Sequence, residues 1–160
     1  MRIIRYNRLN AVNYAKKWAF GRNPEYYNFD YLGGDCTNFV SQCLYAGSGV
    51  MNYTPTFGWY YISLSNRAPA WTGVQYLYNF LTTNQSYGPF AEEVSENETQ
   101  IGDIIQLGRE DGSFYHSLII TETTPRILIA AHTNDALNRP LSSYNYYRAR
   151  FVHIRGVIAP

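Results

Sequence analysis

The residues best suited to chemistry in this sequence surround Cys36. Gly33 and Gly34 precede Asp35, and apolar residues then follow at the spacing of one helix face. We therefore expect Asp35 to cap a helix whose first residue is Cys36. Unpaired backbone N–H groups and the positive dipole at a helix start stabilise a thiolate, and the two glycines let a substrate approach closely. This pattern is typical of the nucleophile of a cysteine hydrolase.

The second cysteine, Cys43, is predicted to lie in a different environment. It follows Cys36 on the apolar face of the same predicted helix, about 10 Å along the axis at roughly 1.5 Å per residue. This distance is too long for a disulfide bond. Because free cysteines are common in protein cores, we interpret Cys43 as a core residue and Cys36 as the functional thiol. The alternative is that Cys36 is also an ordinary buried cysteine.

Composition and charge limit the function classes that are open to this chain. Its 160 residues are 46% hydrophobic and 16% charged, and we predict one globular domain over residues 1–160. The net charge of +1 gives no electrostatic basis for binding nucleic acid or an anionic membrane. We expect no membrane span, since no apolar run is long enough, and residues 1–5 lack the apolar core of a signal peptide. The sixteen tyrosines could line a groove for sugars or peptides.

Two of the three histidines lie on neighbouring predicted strands. His116 begins one strand and His132 ends the next, so a hairpin centred on Thr124 would place residue 132 opposite His116. A shift of half a residue would place residue 131 or 133 there instead. The period of two puts His132 and Asn134 on one face of their strand. We therefore predict a nucleophile, His116 as its general base, and His132 or Asn134 as the group that orients the base.

Other assignments of the polar residues are also considered. Each histidine could be a hydrogen-bonded core residue, and we favour that interpretation for His153, which lies among arginines on the last predicted strand. Asp135 is a weaker candidate for orienting the base, because it points to the other face of a regular strand. A zinc site of Cys36, His116 and His132 lacks the usual ligand spacing and would need water as its fourth ligand. We expect no metal and no cofactor.

Helical and strand-like periods divide the chain into two halves. The first half predicts helices over residues 7–20, 36–46 and 72–83. Asn7 and Thr72 are the expected caps of the first and third helices, and residues 48–70 are predicted to form a long loop over the site. The second half predicts strands over residues 101–107, 113–122, 126–133 and 148–154. This order favours an α+β fold, with N-terminal helices packed on an antiparallel β-sheet.

Several of these segments together resemble one known family. The segments are residues 6–8, 34–42, 102–103, 116–117 and 132–135, which read YNR, GDCTNFVSQ, GD, HS and HTND. They are similar to the bacterial putative amidase domain, which is related to the NlpC/P60 and CHAP group of papain-like cell-wall hydrolases. The resemblance covers nearly the whole chain and implies a papain-like fold, a catalytic pair of Cys36 and His116, and hydrolysis of amide bonds.

The resemblance also implies a substrate and a location. We expect the substrate to be a peptide derived from peptidoglycan, and the protein to be secreted or associated with the cell wall. The backbone N–H of Cys36 would bind the oxyanion, with Asp35, Tyr27 and Tyr31 as further candidate contacts for the oxyanion or substrate. The competing interpretation is a non-catalytic module that binds wall peptides or glycans through an aromatic groove.

The two cysteines are predicted to differ in reactivity. We expect iodoacetamide near neutral pH to alkylate Cys36 much faster than Cys43, because only Cys36 is predicted to lie at a helix start beside a base. Brief labelling followed by peptide mapping measures both rates. Equal rates, or faster labelling of Cys43, would contradict the assignment of Cys36 as the functional thiol.

Overall fold

Four α-helices and nine β-strands follow one another along residues 1–160, all of which the computed structural model describes. The helices are α1 Arg8–Trp18, α2 Cys36–Ser48, α3 Pro69–Thr72 and α4 Val74–Thr83. The strands are β1 Arg2–Ile4, β2 Tyr61–Ser63, β3 Asn66–Arg67, β4 Gly88–Val94, β5 Ile104–Gly108, β6 Phe114–Glu122, β7 Leu128–Ala131, β8 Ala136–Pro140 and β9 Arg148–Ala159. No helix combines the length and the apolar character that a membrane span requires.

Seven of the strands form one antiparallel sheet. Its order is β1-β9-β5-β6-β7-β8. The seventh strand, β4, lies off this path and also pairs with the long strand β9. Strands β2 and β3 form a separate hairpin. The predicted α+β class, with helices packed on an antiparallel sheet, is therefore confirmed. The papain-like character of the fold stays a prediction.

The sheet is covered on both faces, and side chains alternate between them along β6. Ile119 packs in a core cluster with residues of the helices, whereas Leu118 and Ile120 belong to a second cluster. Leu141 and Tyr144, which follow β8, pack in or against that second cluster. Neighbouring residues of β6 therefore face different surroundings, and this alternation decides which of them reach the candidate site.

Helix α2 lies against the sheet with the apolar face that the sequence predicts. Phe39 and Cys43 are fully buried on this face. Near the end of the helix, a Cβ atom added to Gly47 would lie 2.5 Å from the ring of Tyr6, so only glycine allows this approach. Tyr6 in turn donates a hydrogen bond to the carbonyl oxygen of Gly102, at 2.8 Å. Helix α2 is thereby fixed relative to the turn that leads into β5.

Several predicted elements differ from those in the structure. The third predicted helix is divided at Gly73 into α3 and α4, so Thr72 ends a helix and caps none, whereas Asn7 caps α1 as predicted. Strands β1, β4 and β8 were not predicted. In particular, the pairing of β4 with β9 is a long-range contact that no local pattern reveals.

Candidate active site

Cys36 is the first residue of α2, as the sequence predicts. The chain reaches it through Gly33 and Gly34, whose φ angles of +86° and +95° lie in the region that favours glycine. Asp35 occupies the cap position, but its side chain makes no capping hydrogen bond. The first backbone N–H groups of a helix have no partner within the helix, so those of α2 remain available to a negatively charged oxygen.

A cavity of about 280 Å³ lies beside Cys36, and we call it the Cys36 cavity. It is lined by Gly33, Gly34, Cys36, Leu107, Tyr115, His116, Thr133, Asn134 and Tyr144. Cys36 is partly exposed, whereas Cys43 is fully buried. The structure therefore brings together three predicted site residues from distant parts of the chain, namely Cys36, His116 and Asn134.

The strand ladder explains how His116 reaches this cavity. His116 pairs with Leu107 of β5 on one side, but on the other side the pairing of β6 with β7 stops at Ile119 and Ala130. The strand edge beside His116 therefore faces no strand partner. The observed register corresponds to a turn centred between residues 124 and 125, which if continued would place Thr133 opposite His116. This is one of the alternatives that the hairpin register left open.

The imidazole of His116 is buried but unengaged. Its side chain makes no hydrogen bond to the protein, and its ring centroid lies 6.4 Å from that of Tyr115 and 6.1 Å from that of Tyr144. Burial, together with the positive charge of Arg139, lowers the pKa of His116 from 6.5 to about 4. The ring is therefore neutral near pH 7, which is the state that can accept a proton from a thiol.

His132 occupies a different environment from the one predicted for it. Its Nδ1 lies 2.5 Å from a carboxylate oxygen of Asp35, and its Nε2 lies 2.8 Å from the carbonyl oxygen of Trp18. The ring also stacks on Phe39, with 3.9 Å between centroids. Because both ring nitrogens are engaged there and His132 does not line the cavity, it makes no contact that could orient His116.

Because of these contacts, His132 does not join Cys36 and His116, the other two ligands of the alternative zinc site. Cys36 and His116 share the cavity, but His132 directs both ring nitrogens elsewhere. No group of three or more His, Cys, Asp or Glu side chains is arranged to hold a metal ion. Cys36, His116 and His132, the alternative zinc ligands, are therefore not brought together.

Asp35 is buried and fully engaged, so it is not placed to contact a substrate. One carboxylate oxygen accepts hydrogen bonds from the backbone N–H of Phe29 and the side-chain amide of Asn38, both at 2.9 Å. The other oxygen contacts His132 and lies 3.6 Å from the Arg22 guanidinium. This differs from the expectation that Asp35 contacts the oxyanion or substrate, because a buried carboxylate needs partners within the protein.

The two tyrosines predicted as oxyanion donors also lie outside the cavity. Tyr31 is fully exposed, Tyr27 is 43% exposed, and neither lines the Cys36 cavity. Residues 48–70, predicted to cover the site, line no part of it either. That segment instead carries the β2 and β3 hairpin and buries Trp59 against Trp71, with 4.7 Å between ring centroids. The aromatic walls of the cavity come from Tyr115 and Tyr144, which sequence reasoning did not single out.

The turn after β7 explains why His132 and Asn134 separate. Strand β7 ends at Ala131, and both Thr133 and Asn134 adopt positive φ angles, +64° and +59°. Alternation with a period of two therefore does not extend past Ala131. Asn134 lines the cavity, whereas Asp135 forms an ion pair with Arg22 at 2.9 Å.

Arg22 is a structural residue that the sequence did not reveal. It forms ion pairs with Asp30 and Asp135 and approaches both Asp35 and His132. These partners are distant in sequence, and an isolated arginine in a loop carries no signal of them. His153, by contrast, contacts Asp103 at 2.7 Å, in agreement with its interpretation as a structural histidine.

Comparison with known proteins relates the chain to a described family. Residues 5–155 match the family described as a putative amidase domain. The uncharacterized protein YhbB of Bacillus subtilis (strain 168) is 33% identical over 152 residues, or 93% of this chain. Those residues are 44% of that relative, so the chain spans less than half of its length. No solved structure matches the chain.

The lowered pKa of His116 makes stability depend on pH. Because its pKa is about 4 in the folded protein and 6.5 ordinarily, the unfolded chain binds the proton more readily between these values. The contribution that neutral His116 makes to the free energy of unfolding is present in full above pH 6.5, and it is lost as the pH falls through about 4. The difference corresponds to roughly 3 kcal/mol. The free energy of unfolding falls in both proteins between pH 7 and pH 4. We expect this fall to be about 3 kcal/mol larger in the wild type than in His116→Gln.

Urea unfolding of both proteins across this pH range measures the difference. The His116→Gln variant keeps a polar side chain of similar size, so the remaining acidic groups contribute equally to both curves. If the two proteins lose stability in parallel, the environment assigned to His116 is wrong.

Proposed function

Because the chain belongs to the putative amidase domain family, we propose that it is a cysteine-dependent amidase or peptidase acting on bacterial cell-wall peptides. One observation carries the proposal: Cys36, at the start of a helix, and His116, a neutral imidazole without a hydrogen-bond partner in the protein, line the same cavity. A thiol, a base and unpaired helix N–H groups are the components that nucleophilic acyl transfer requires.

The first half of the proposed reaction forms an acyl-enzyme. The sulfur of Cys36 attacks the carbonyl carbon of the amide, and His116 accepts the thiol proton. The carbonyl oxygen becomes an oxyanion, which the N–H groups at the start of α2 stabilise. His116 then donates its proton to the amide nitrogen, the carbon–nitrogen bond breaks, and the amine leaves. The acyl group remains on Cys36 as a thioester.

The second half returns the enzyme to its starting state. Water attacks the thioester carbon while His116 accepts a proton from it. The carbon–sulfur bond then breaks, a carboxylic acid is released, and the proton on His116 returns to the Cys36 sulfur. A histidine that is neutral in the free enzyme is in the correct state to begin each half of this cycle.

Asn134 is the residue that we assign to orienting His116. It lines the same cavity, and a side-chain amide oxygen can accept a hydrogen bond from a ring N–H. His132, the other sequence-based candidate, has a separate role in this account, because it supports the carboxylate of Asp35 directly before Cys36. The orienting role is therefore assigned to Asn134 alone.

The proposed substrate is a short peptide segment of the cell wall. The aromatic rings of Tyr115 and Tyr144 and the side chain of Leu107 give the cavity apolar walls, which suit the apolar parts of a peptide. The choice of peptidoglycan depends on the resemblance to cell-wall hydrolases, and the same resemblance supports a location outside the cell or in its wall.

Purified muropeptides of known stem length test the function directly. We expect the wild type to release new amine termini or free stem peptides, detected by mass spectrometry. Cys36→Ser and His116→Ala are expected to lose roughly a thousandfold or more in turnover, since each removes a group needed in both halves of the reaction. Cys43→Ala and His153→Gln are matched controls outside the cavity, and we expect both to retain turnover.

Two outcomes would contradict this function. If His116→Ala turns over substrate like the wild type, another group activates Cys36. If the wild type and Cys36→Ser both bind muropeptides and leave them intact, the chain is the non-catalytic binding module that the sequence also allows. Circular dichroism and melting temperatures of every variant show whether a lost activity reflects a lost fold.

A further inference from the structure

A row of buried polar side chains runs across strands β9, β5 and β6, on the face that packs against the helices, and ends at Cys36. We call it the Arg150–Thr37 chain. The Arg150 guanidinium donates two hydrogen bonds to the Gln106 side-chain oxygen, at 2.9 and 2.7 Å. The Gln106 amide nitrogen donates to Ser117 Oγ at 3.2 Å, and Ser117 Oγ lies 2.9 Å from Thr37 Oγ1. Thr37 Oγ1 lies 3.8 Å from the sulfur of Cys36. All four members are at least nine-tenths buried.

The hydrogen bonds of this chain have a fixed direction. Arg150 can only donate, so the oxygen of the Gln106 amide faces it and the amide nitrogen faces away. That nitrogen donates to Ser117 and also to the carbonyl oxygen of Val74, at 2.9 Å. Ser117 is therefore an acceptor toward Gln106. Its own hydroxyl proton has one acceptor within reach, which is Thr37.

The direction at Ser117 determines the direction at Thr37. If Thr37 accepts the proton of Ser117, its own hydroxyl proton has one remaining partner, the sulfur of Cys36. A hydroxyl that donates to sulfur stabilises a thiolate more than a thiol, because hydrogen bonds to charged acceptors are shorter and stronger. The separation of 3.8 Å is long, and such contacts commonly tighten when charge develops.

Arg150, at one end of the Arg150–Thr37 chain, is a buried cation without an ion-pair partner, which is unusual for a residue with only a structural role. Its guanidinium lies 3.6 Å from the ring centroid of Tyr78 and 3.8 Å from that of Phe114, with no carboxylate at ion-pair distance. Its other side-chain hydrogen bond goes to the neutral amide oxygen of Gln75. A buried cation whose acceptors are neutral amides polarises them, and hydrogen bonds in series strengthen one another.

We propose that the Arg150–Thr37 chain is a one-way series of hydrogen bonds that stabilises the thiolate of Cys36. Thr37 acts on the sulfur directly, and Ser117, Gln106 and Arg150 are positioning residues that fix which way its hydroxyl points. The inference deepens the proposed function, on which it rests for the role of Cys36 as nucleophile.

Substitutions in the Arg150–Thr37 chain leave the other groups that face Cys36 unchanged. Across the cavity lie His116, Tyr115 and Tyr144. Directly before Cys36 lies Asp35, which is engaged by His132 and Arg22. None of these side chains contacts a member of the Arg150–Thr37 chain through a hydrogen bond, so substitutions within the chain isolate its effect on the sulfur.

Thr37→Val is the main test, because valine has nearly the shape of threonine but lacks the donor. The measurement is the rate of alkylation of Cys36 by iodoacetamide as a function of pH, followed by peptide mapping so that Cys43 is counted separately. We expect the pH of half-maximal alkylation to rise by about one unit, since the variant loses a hydrogen bond that is stronger to the charged form of the sulfur than to the thiol. Thr37→Ser, which keeps the hydroxyl, is expected to restore the wild-type profile.

Gln106→Glu tests the direction of the chain separately. A carboxylate would form an ion pair with Arg150 and would accept a hydrogen bond from Ser117, so Ser117 would then accept from Thr37. The donor to the sulfur would be lost, and so would the hydrogen bond to the Val74 carbonyl oxygen, while the contact with Arg150 remains. We expect the alkylation profile to move upward in pH by about as much as for Thr37→Val. Gln75→Glu places the same charge beside Arg150 without a contact to Ser117, so a smaller movement in that variant separates the loss of the donor from the effect of charge alone. If Thr37→Val does not fold, Gln106→Glu decides the question.

The outcomes separate this inference from the proposed function, because alkylation requires no substrate. If Thr37→Val, or Gln106→Glu in its place, is alkylated with the wild-type pH profile, the one-way chain is overturned, whether or not the wild type cleaves muropeptides. If the variant profiles move as expected and no amide is cleaved, the inference about the Arg150–Thr37 chain is supported and the proposed substrate or reaction is wrong.

Discussion

A buried carboxylate directly before the thiol is the constraint on which the rest of the site depends. Asp35 connects the backbone of Phe29, the turn after β7 through His132, and the start of α2. A buried carboxylate that loses its hydrogen-bond partners is destabilising, so these three segments are held together. Because Asp35 is engaged inside the protein, it does not cap α2, and the helix N–H groups beside Cys36 remain free for a substrate oxygen.

Cys36 and Thr37 are consecutive in α2, and they lie beside His116 and Ser117, which are consecutive in β6. The pair Cys36 and His116 has a different role from the pair Thr37 and Ser117. Cys36 and His116 line the cavity, whereas Thr37 and Ser117 are joined by a buried hydrogen bond. This division follows from the alternation of side chains along a strand, which sends His116 and Ser117 to opposite faces. Cys36 and His116 can therefore face the cavity while their immediate neighbours fix their positions.

Local patterns predicted the parts of the site that depend on local structure. The helix after Cys36 has a clear period and a glycine turn before it, and His116 lies near the start of a regular strand. The role predicted for His132 failed because it assumed that β7 continues past Ala131, where the chain instead turns with positive φ angles. The ion pairs of Arg22 and the pairing of β4 with β9 join residues far apart in sequence, so they leave no periodic signal.

The proposed reaction passes through a thioester on Cys36, which intact-protein mass spectrometry after rapid acid quenching detects. We expect wild type mixed with a cleavable muropeptide to gain the mass of the acyl fragment, fragmentation to locate this mass on Cys36, and Cys36→Ala to gain none. Cleavage of the muropeptide with no covalent species on Cys36, or an equal mass gain in Cys36→Ala, would show that Cys36 is not the nucleophile.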